Sequence, residues 1–171
     1  SSKAASRPLC APFQGQICSW NRGDRGQVQD LNGNVYDYIS IYDTSYGEPA
    51  GIFGINCGHF PETFVPGLSV PRYNTLDQKE LEANAAAFER SQEQRQLERA
   101  VRDATTEALA YEAAGDKEGF IKQAKKVNAR RDKYREFCAK HGLDERGERL
   151  TVYGFGRSQA SKAAWIKRKG K

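Results

Sequence analysis

The stretch ATTEALAYEAAGDKEGFIKQAKKV, residues 104–127, decides the fold of this chain. Its apolar side chains recur at steps of three or four on both sides of Gly115-Asp116, as they do along one face of an α-helix. Gly115 interrupts the helical pattern, and Asp116 is a residue type that caps the start of the next helix. Two amphipathic helices joined by so short a turn pack antiparallel. The stretch therefore predicts a helical hairpin.

The predicted hairpin extends outward from this turn over residues 75–142. Between Thr75 and His141 there is no proline, and Ala, Glu, Gln, Arg and Lys predominate. Thr75 and Gln78 have the spacing of a capping box, and Gly142 is typical of the residue that ends a helix. The apolar stripe comprises Leu81, Ala85, Phe88, Leu97, Val101, Ala104, Ala108 and Tyr111, followed by Phe120, Ala124, Val127, Tyr134 and Cys138. Because this stripe is narrow, much of the hairpin surface is left for a partner, and we expect one there.

Residues 1–74 have the composition of strands and turns, because they hold all six prolines of the chain. Residues 15–20 and 35–42 predict short strands, and residues 51–60, which are apolar but interrupted by glycine, predict a strand and a turn. We therefore expect an α+β fold. A small, irregular head domain of strands and turns, residues 1–74, precedes a long antiparallel α-helical hairpin, residues 75–142.

The remaining residues are predicted to form a strand and a tail. Residues 143–156 contain LTVYGF, which predicts a strand that returns to pack on the head domain. Residues 157–171 form a basic tail without any acidic residue, whose cations are Arg157, Lys162, Lys167, Arg168, Lys169 and Lys171. Such a run is typical either of a solvated terminus or of a segment that contacts nucleic acid.

The overall composition is polar and basic. The net charge is +5, the charged fraction is 29% and the mean hydropathy is −0.78. This charge favours a polyanionic partner, either double-stranded DNA or an acidic protein face. No apolar run approaches the roughly 18 residues that a membrane span needs, so we expect no membrane partner. The chain contains no methionine and opens without a signal-peptide pattern, and we expect it to be a fragment, a processed product or part of a longer protein.

Cysteine and histidine provide the candidate chemistry. Cys57 and His59 lie two residues apart in a glycine-containing turn, where both side chains can reach one metal ion. Together with Cys10 and Cys18 they would make a Cys-rich zinc site, although the chain has no CxxC pair. The alternative is that the cysteines are small buried hydrophobic residues and that His59 holds the turn by a hydrogen bond. No motif names a reaction, so we expect no catalytic residues and no cofactor besides this zinc.

Several short segments resemble the C-terminal region of the minor capsid (head morphogenesis, portal-associated) proteins of tailed phages. That family has a G-x-N-C-R-H turn followed by x-P-F-x-P-G, to which residues 54–59 and 64–67 are similar. The further similar segments are residues 5–8, 14–16, 46–47 and 111–142. The chain departs from the pattern at Lys3 and Cys10, where the family has His, and at Gly58, where the family has Arg. The resemblance therefore leaves metal binding open.

The resemblance implies a virion structural protein, present in few copies near the portal inside the phage head and in the host cytoplasm during assembly. It implies a role in head assembly or DNA packaging, with the portal or major capsid protein as partner. One alternative is a small phage-encoded enzyme or effector, such as a nuclease with Cys57 and His59 in its site. Another is a nucleic-acid-binding module that uses Tyr36, Tyr38 and Tyr42.

Overall fold

The computed structural model describes residues 3–156 together with residues 158, 159, 161, 162 and 165. The chain divides into two units, Ser1–Glu89 and Arg90–Lys171. The predicted α+β fold with a helical hairpin is confirmed. Within the described residues, every helix is too short or too polar to cross a membrane.

A small sheet lies in the first unit. Its strands are β1 (Ile17–Ser19), β2 (Gly26–Gln29) and β3 (Val35–Ser40), in the order β1-β3-β2. The first strand runs parallel to β3, with Ile17 opposite Tyr38, and β2 runs antiparallel to β3. The strands predicted over residues 15–20 and 35–42 are therefore present in shortened form, and β2 was not predicted.

The turn between β2 and β3 is built around one buried carboxylate. Asp30 is only 2% exposed. Its side chain accepts hydrogen bonds from the backbone N–H groups of Asn32 (2.8 Å) and Asn34 (2.9 Å), and from the hydroxyl of Tyr36 at 3.3 Å. Such an Asx-type turn satisfies the backbone without help from a hydrophobic face. This explains why GQVQ pairs as a strand although its sequence has little apolar alternation.

Residues 51–60, predicted as a strand and a turn, form a series of turns and no strand. Backbone N–H groups donate to carbonyls three residues back at Gly54 (to Gly51, 3.1 Å) and at Cys57 (to Gly54, 3.0 Å). Three residues have left-handed backbone conformations: Phe53 (φ 59°), Asn56 (φ 55°) and Gly58 (φ 61°). Left-handed residues interrupt an extended strand, so this stretch turns repeatedly.

The hairpin consists of α1 (Gln78–Ala113) and α2 (Lys117–His141). A capping box opens α1 two residues later than predicted: Asp77 accepts from the backbone N–H of Glu80 at 2.7 Å, and Glu80 accepts from that of Asp77 at 2.8 Å. The bend agrees with the prediction, because the Asp116 side chain caps α2 by accepting from the backbone N–H of Gly119 at 2.8 Å.

Buried side chains from both helices pack together within the second unit. One buried cluster comprises Ala104, Ala108, Phe120, Ala124 and Val127, and a second comprises Val101, Tyr134 and Cys138. The first cluster joins the two ends of the helices that meet at the bend, and the second lies farther from it. This order is that of an antiparallel pair, as predicted.

Residues 143–156 do not form the predicted return strand. They contain a short 3-10 helix, Gly147–Leu150, and they pack on the hairpin. Leu143 and Leu150 cover the cluster around Tyr134, and Phe155 covers the cluster around Phe120. The two helices bury one edge of their apolar stripe against each other and leave the other edge exposed. When the three side chains pack on that exposed edge, apolar surface of both partners is removed from water. Leu150 and Phe155, which belong to the stretch predicted as a strand, therefore cover the helices instead.

The predicted boundary at residue 74 also differs from the observed division. The first turns of α1 belong to the first unit, which extends to Glu89. The buried side chain of Asn84 accounts for this, because its carboxamide exchanges two hydrogen bonds with the backbone of Ser6. A helix that is continuous in sequence thus contributes to both units.

Candidate metal centre

Cys10 lies at the end of a turn that precedes a short 3-10 helix, Ala11–Phe13. The backbone N–H groups of Cys10 and Ala11 both donate to the carbonyl of Arg7 at 2.9 Å. The Cys10 side chain is 1% exposed, so this turn points its sulfur into the first unit.

Side-chain hydrogen bonds tie the turns at residues 51–59 to the segment that carries Cys10. The Ser45 hydroxyl donates to the carbonyl of Leu9 and accepts from the backbone N–H of Ile52 at 3.0 Å. The Arg7 guanidinium donates to the carbonyls of Ala50 and Ile55. These contacts fix the distance between two segments that lie more than 40 residues apart in sequence.

Three potential ligand atoms meet where these segments touch. The Sγ atoms of Cys10 and Cys57 lie 3.7 Å apart, and Cys57 Sγ lies 3.1 Å from Nδ1 of His59. The three ligand atoms all lie within 4.8 Å of one another. Gly58, between Cys57 and His59, adopts a left-handed backbone conformation (φ 61°), which turns the two side chains toward each other.

The other ring nitrogen of His59 faces two hydrogen-bond acceptors. Nε2 lies 3.1 Å from Oε1 of Gln14 and 3.2 Å from the hydroxyl oxygen of Ser6. Since the Ser6 hydroxyl donates its proton to the carbonyl of Lys3 at 2.9 Å, it too acts as an acceptor toward the ring. These partners assign the proton to Nε2 and leave the lone pair of Nδ1 directed at Cys57.

The surroundings of the three side chains separate the pKa values of the two thiols. Burial by itself would raise the pKa of Cys57, but hydrogen bonds from the backbone N–H groups of His59 and Phe53, with the charge of Arg7, lower it. Burial, followed by the interaction with Cys57, raises the pKa of Cys10 to about 11. Burial and the positive charges of Lys3 and Arg7 lower the pKa of His59. The surroundings therefore favour the neutral form of the His59 imidazole, and they make Cys57 easier to deprotonate than Cys10.

The family of the chain follows from a comparison with known proteins. The family model described as Phage minor capsid protein 2 matches residues 1–139. This chain belongs to that family. It is accordingly a phage structural protein of the virion, as the resemblance at residues 54–59 and 64–67 predicted.

Two curated relatives of this minor capsid protein carry the name structural protein. One, from Lactococcus phage LL-H, is 39% identical over 101 residues, which are 59% of this chain and 25% of the relative. The other, from Lactococcus phage mv4, is 40% identical over 79 residues, which are 46% of this chain and 62% of the relative. The aligned part of the chain thus spans a quarter of the length of the first relative and just under two thirds of the length of the second. No solved structure matches the chain.

The minor capsid chain brings together three of the four predicted metal ligands. Cys18 does not join Cys10, Cys57 and His59 within the described residues. It lies in β1, where burial raises the pKa of its thiol to about 11, and its sulfur lies 3.9 Å from the carbonyl oxygen of Gln16. The pairing of β1 with β3 fixes the backbone of Cys18 in the sheet, so this half-buried cysteine does not join the cluster at the turn that carries Cys57.

Two residues that support the site were not predicted from the sequence. Gln14, which is 1% exposed, and Ser6, which is 5% exposed, hold the ring of His59. Nothing in their local sequence indicates this, because each lies more than 40 residues away from His59. Their role becomes visible only from the folded chain.

The predicted nucleic-acid contacts fall mainly outside the described part of the chain. Arg157, Lys167, Arg168, Lys169 and Lys171 lie outside the described residues. Lys162 is described, and its Nζ forms an ion pair with the carboxylate of Glu112 at 2.6 Å.

Proposed function

We propose that this chain acts in head morphogenesis as a minor capsid component inside the phage head near the portal. In this proposal it binds the portal or the major capsid protein through the bend of its helical hairpin. The observation that carries the proposal is an open cleft of about 580 Å³ at the bend. This bend cleft is lined by Glu112, Gly115, Asp116, Lys117, Phe120, Ile121, Ser161, Lys162 and Trp165.

The bend cleft has the composition of a protein-binding surface. Ile121 is 43% exposed and Trp165 is 54% exposed, so covering them removes apolar surface from water. Asp116 and Lys117, with the ion pair between Lys162 and Glu112, place charges of both signs around them. An apolar centre with a charged rim is the usual anatomy of a protein interface, whereas a surface for DNA is predominantly basic.

A binding experiment with matched variants tests this part of the proposal. Ile121→Asp introduces a charge into the bend cleft and should weaken binding to the purified portal or major capsid protein at least tenfold. Ala129→Asp introduces the same charge at an exposed position of α2 outside the cleft, and should leave the affinity within about twofold. Equal affinities for both variants, with helix content unchanged, would contradict a role for the bend cleft.

We assign DNA contact to the basic tail, residues 157–171, as a second part of the proposal. Its support is the sequence, which places six Lys or Arg residues and no acidic residue there. If phosphate contacts drive binding, the affinity for a labelled duplex falls linearly with the logarithm of the salt concentration. A chain ending at residue 156 should lose most of this affinity, and full affinity in that chain would assign the contact elsewhere.

We propose a structural rather than a catalytic role for the site around Cys57 and His59. The contact between them is the observation on which a nuclease-like alternative would rest. Incubation of duplex DNA with the wild-type chain and with His59→Ala distinguishes the two roles. We expect no cleavage by either protein, whereas cleavage that is lost in His59→Ala would establish the enzyme.

A further inference from the structure

We propose that Cys10, Cys57 and His59 bind one Zn²⁺ ion through two thiolates and the Nδ1 atom of the imidazole, and that this ion holds the first unit together. Two Zn–S bonds of about 2.3 Å in tetrahedral geometry place their sulfur atoms about 3.8 Å apart. The Sγ atoms of Cys10 and Cys57 lie 3.7 Å apart. The two sulfurs are therefore already at the separation that zinc requires.

The pair formed by Cys57 and His59 needs only a small adjustment to accept the ion. In the same geometry a zinc-bound sulfur and nitrogen lie about 3.6 Å apart. Cys57 Sγ and His59 Nδ1 lie 3.1 Å apart, so they separate by about 0.5 Å when the ion enters between them. Three protein ligands leave a fourth position of the tetrahedron to water.

The chemistry of the donors selects the kind of metal. Two soft thiolates and one imidazole suit zinc. Among the described residues no carboxylate joins the cluster, which disfavours magnesium and calcium because these ions take oxygen ligands. Metal-bound histidines usually donate their other ring N–H to a protein acceptor, which fixes the tautomer. Gln14 and Ser6 provide such acceptors at 3.1 and 3.2 Å from Nε2 of His59.

Backbone donors prepare one of the thiols for this role. The N–H of Phe53 lies 3.2 Å from Cys57 Sγ and donates to it. A hydrogen bond to sulfur stabilises the negative charge of a thiolate, which is the form that binds a metal. Phe53 itself occupies a left-handed backbone conformation (φ 59°), which is rare for a bulky residue. Such strain persists only where surrounding contacts over-determine the backbone, and metal ligation at Cys57 and His59 would do so.

The composition of the first unit gives an independent reason for a metal. Residues 3–89 contain four buried apolar side chains, which are Cys10, Ala11, Ile41 and Ile52. The same range contains six buried polar side chains, which are Ser6, Gln14, Asp30, Ser40, Ser45 and Asn84. Domains whose hydrophobic core is this small usually need a metal, disulfides or a partner for stability. An ion that joins Cys10 to Cys57 and His59 supplies a cross-link between segments more than 40 residues apart.

Metal binding to the full chain tests the inference. We expect one equivalent of Zn²⁺ per chain, and Co²⁺ should give visible absorption bands together with thiolate-to-cobalt charge transfer. Cys57→Ser and Cys10→Ser should lower zinc affinity about 100-fold or more, and Gln14→Ala roughly 10-fold to 100-fold. Cys18→Ser is the matched control, since Cys18 lies in the same unit but outside the cluster, and it should leave the affinity unchanged.

Two results would overturn the inference. One is a chain that takes up no stoichiometric zinc or cobalt under reducing conditions, in which case Cys10 and Cys57 are either free thiols or a pair that oxidises to a disulfide. The other is equal loss of zinc in Cys18→Ser and Cys57→Ser. The cobalt spectrum of the wild-type chain keeps the inference testable even where a variant fails to fold.

Discussion

The side chain of Asn84 and the backbone of Ser6 exchange two hydrogen bonds inside the first unit. The Ser6 N–H donates to Asn84 Oδ1 at 2.8 Å, and Asn84 Nδ2 donates to the Ser6 carbonyl at 2.9 Å. Because the Ser6 hydroxyl also faces Nε2 of His59, one residue connects α1 to the candidate metal centre. The start of α1 thus helps to position His59, a candidate metal ligand that lies in another segment of the chain.

Asn84→Ala should therefore destabilise the first unit. The substitution leaves a buried N–H and a buried carbonyl of Ser6 without partners, which costs about 3 kcal/mol. Chemical denaturation measures the change in the free energy of unfolding. The control is Glu82→Ala on an exposed position of the same helix, which should change it by less than about 0.5 kcal/mol. Similar values for both variants would show that the Ser6–Asn84 pair does not stabilise the unit.

Gly119→Ala should destabilise the hairpin bend through a clash with Tyr111. A Cβ atom at position 119 would lie 2.2 Å from Cδ1 of the Tyr111 ring, so the ring must move. We expect a loss of about 1–2 kcal/mol. In a Tyr111→Ala background the same substitution should cost less, because only the clash with Oδ2 of Asp116, at 2.6 Å, remains and Ala favours the helix more than Gly. A double-mutant cycle measured by thermal unfolding checks this, and equal costs in both backgrounds would contradict it.

Asp30 should make the stability of the first unit depend on pH in the acid range. Burial by itself would raise the pKa of Asp30, but hydrogen bonds from Asn34 and Asn32 outweigh it and hold the pKa below the ordinary value of 3.8. A carboxyl whose pKa is depressed by folding stabilises the protein above its unfolded pKa, and this contribution disappears as the pH falls through the folded pKa.

The comparison of wild type with Asp30→Asn isolates this effect. At neutral pH the variant should unfold at lower urea concentration than wild type, because its amide cannot accept the same set of hydrogen bonds. Below pH 3.8 the two unfolding midpoints should converge. Midpoints that stay equally far apart from pH 7 down to pH 2.5 would contradict the assigned role of Asp30.

Tyr134→Phe should loosen the segment that covers the hairpin. The Tyr134 side chain is fully buried, and its hydroxyl accepts from the backbone N–H of Arg146 at 2.8 Å. Without this acceptor we expect a loss of about 1 kcal/mol and faster hydrogen exchange at the amide of Arg146. Tyr153→Phe is the control, because Tyr153 is fully exposed and lies in the same segment. Unchanged exchange at Arg146 in Tyr134→Phe would rule out the bond as an anchor.

The features predicted correctly from the sequence are those specified by neighbouring residues. Gly115 and Asp116 specify the bend, and Gly142, with φ of 61°, ends α2, because backbone conformation and capping act over a few residues. The strand β2 was missed because its pairing depends on the hydrogen bonds around Asp30 rather than on an apolar pattern.

Features that depend on distant residues were predicted poorly or in part. The stretch LTVYGF, residues 150–155, predicts a strand, yet Leu150 and Phe155 cover the hairpin, because the open side of the helical stripe is not apparent from their own sequence. Cys57 and His59 were recognised as a pair, but the choice of Cys10 over Cys18 depends on the contacts of Arg7 and Ser45. Tertiary contacts of this kind are not encoded by local spacing.

The location of the bend cleft in the assembled particle is the most direct test of the proposed function. Amine-reactive cross-linking of intact virions, followed by mass spectrometry, reports which proteins lie near each lysine. We predict cross-links from Lys117 and Lys122, at the start of α2, to the portal or the major capsid protein. Lys140, at the other end of the same helix, should give few such links. Links to these proteins from Lys140 but not from Lys117 or Lys122 would contradict the proposal.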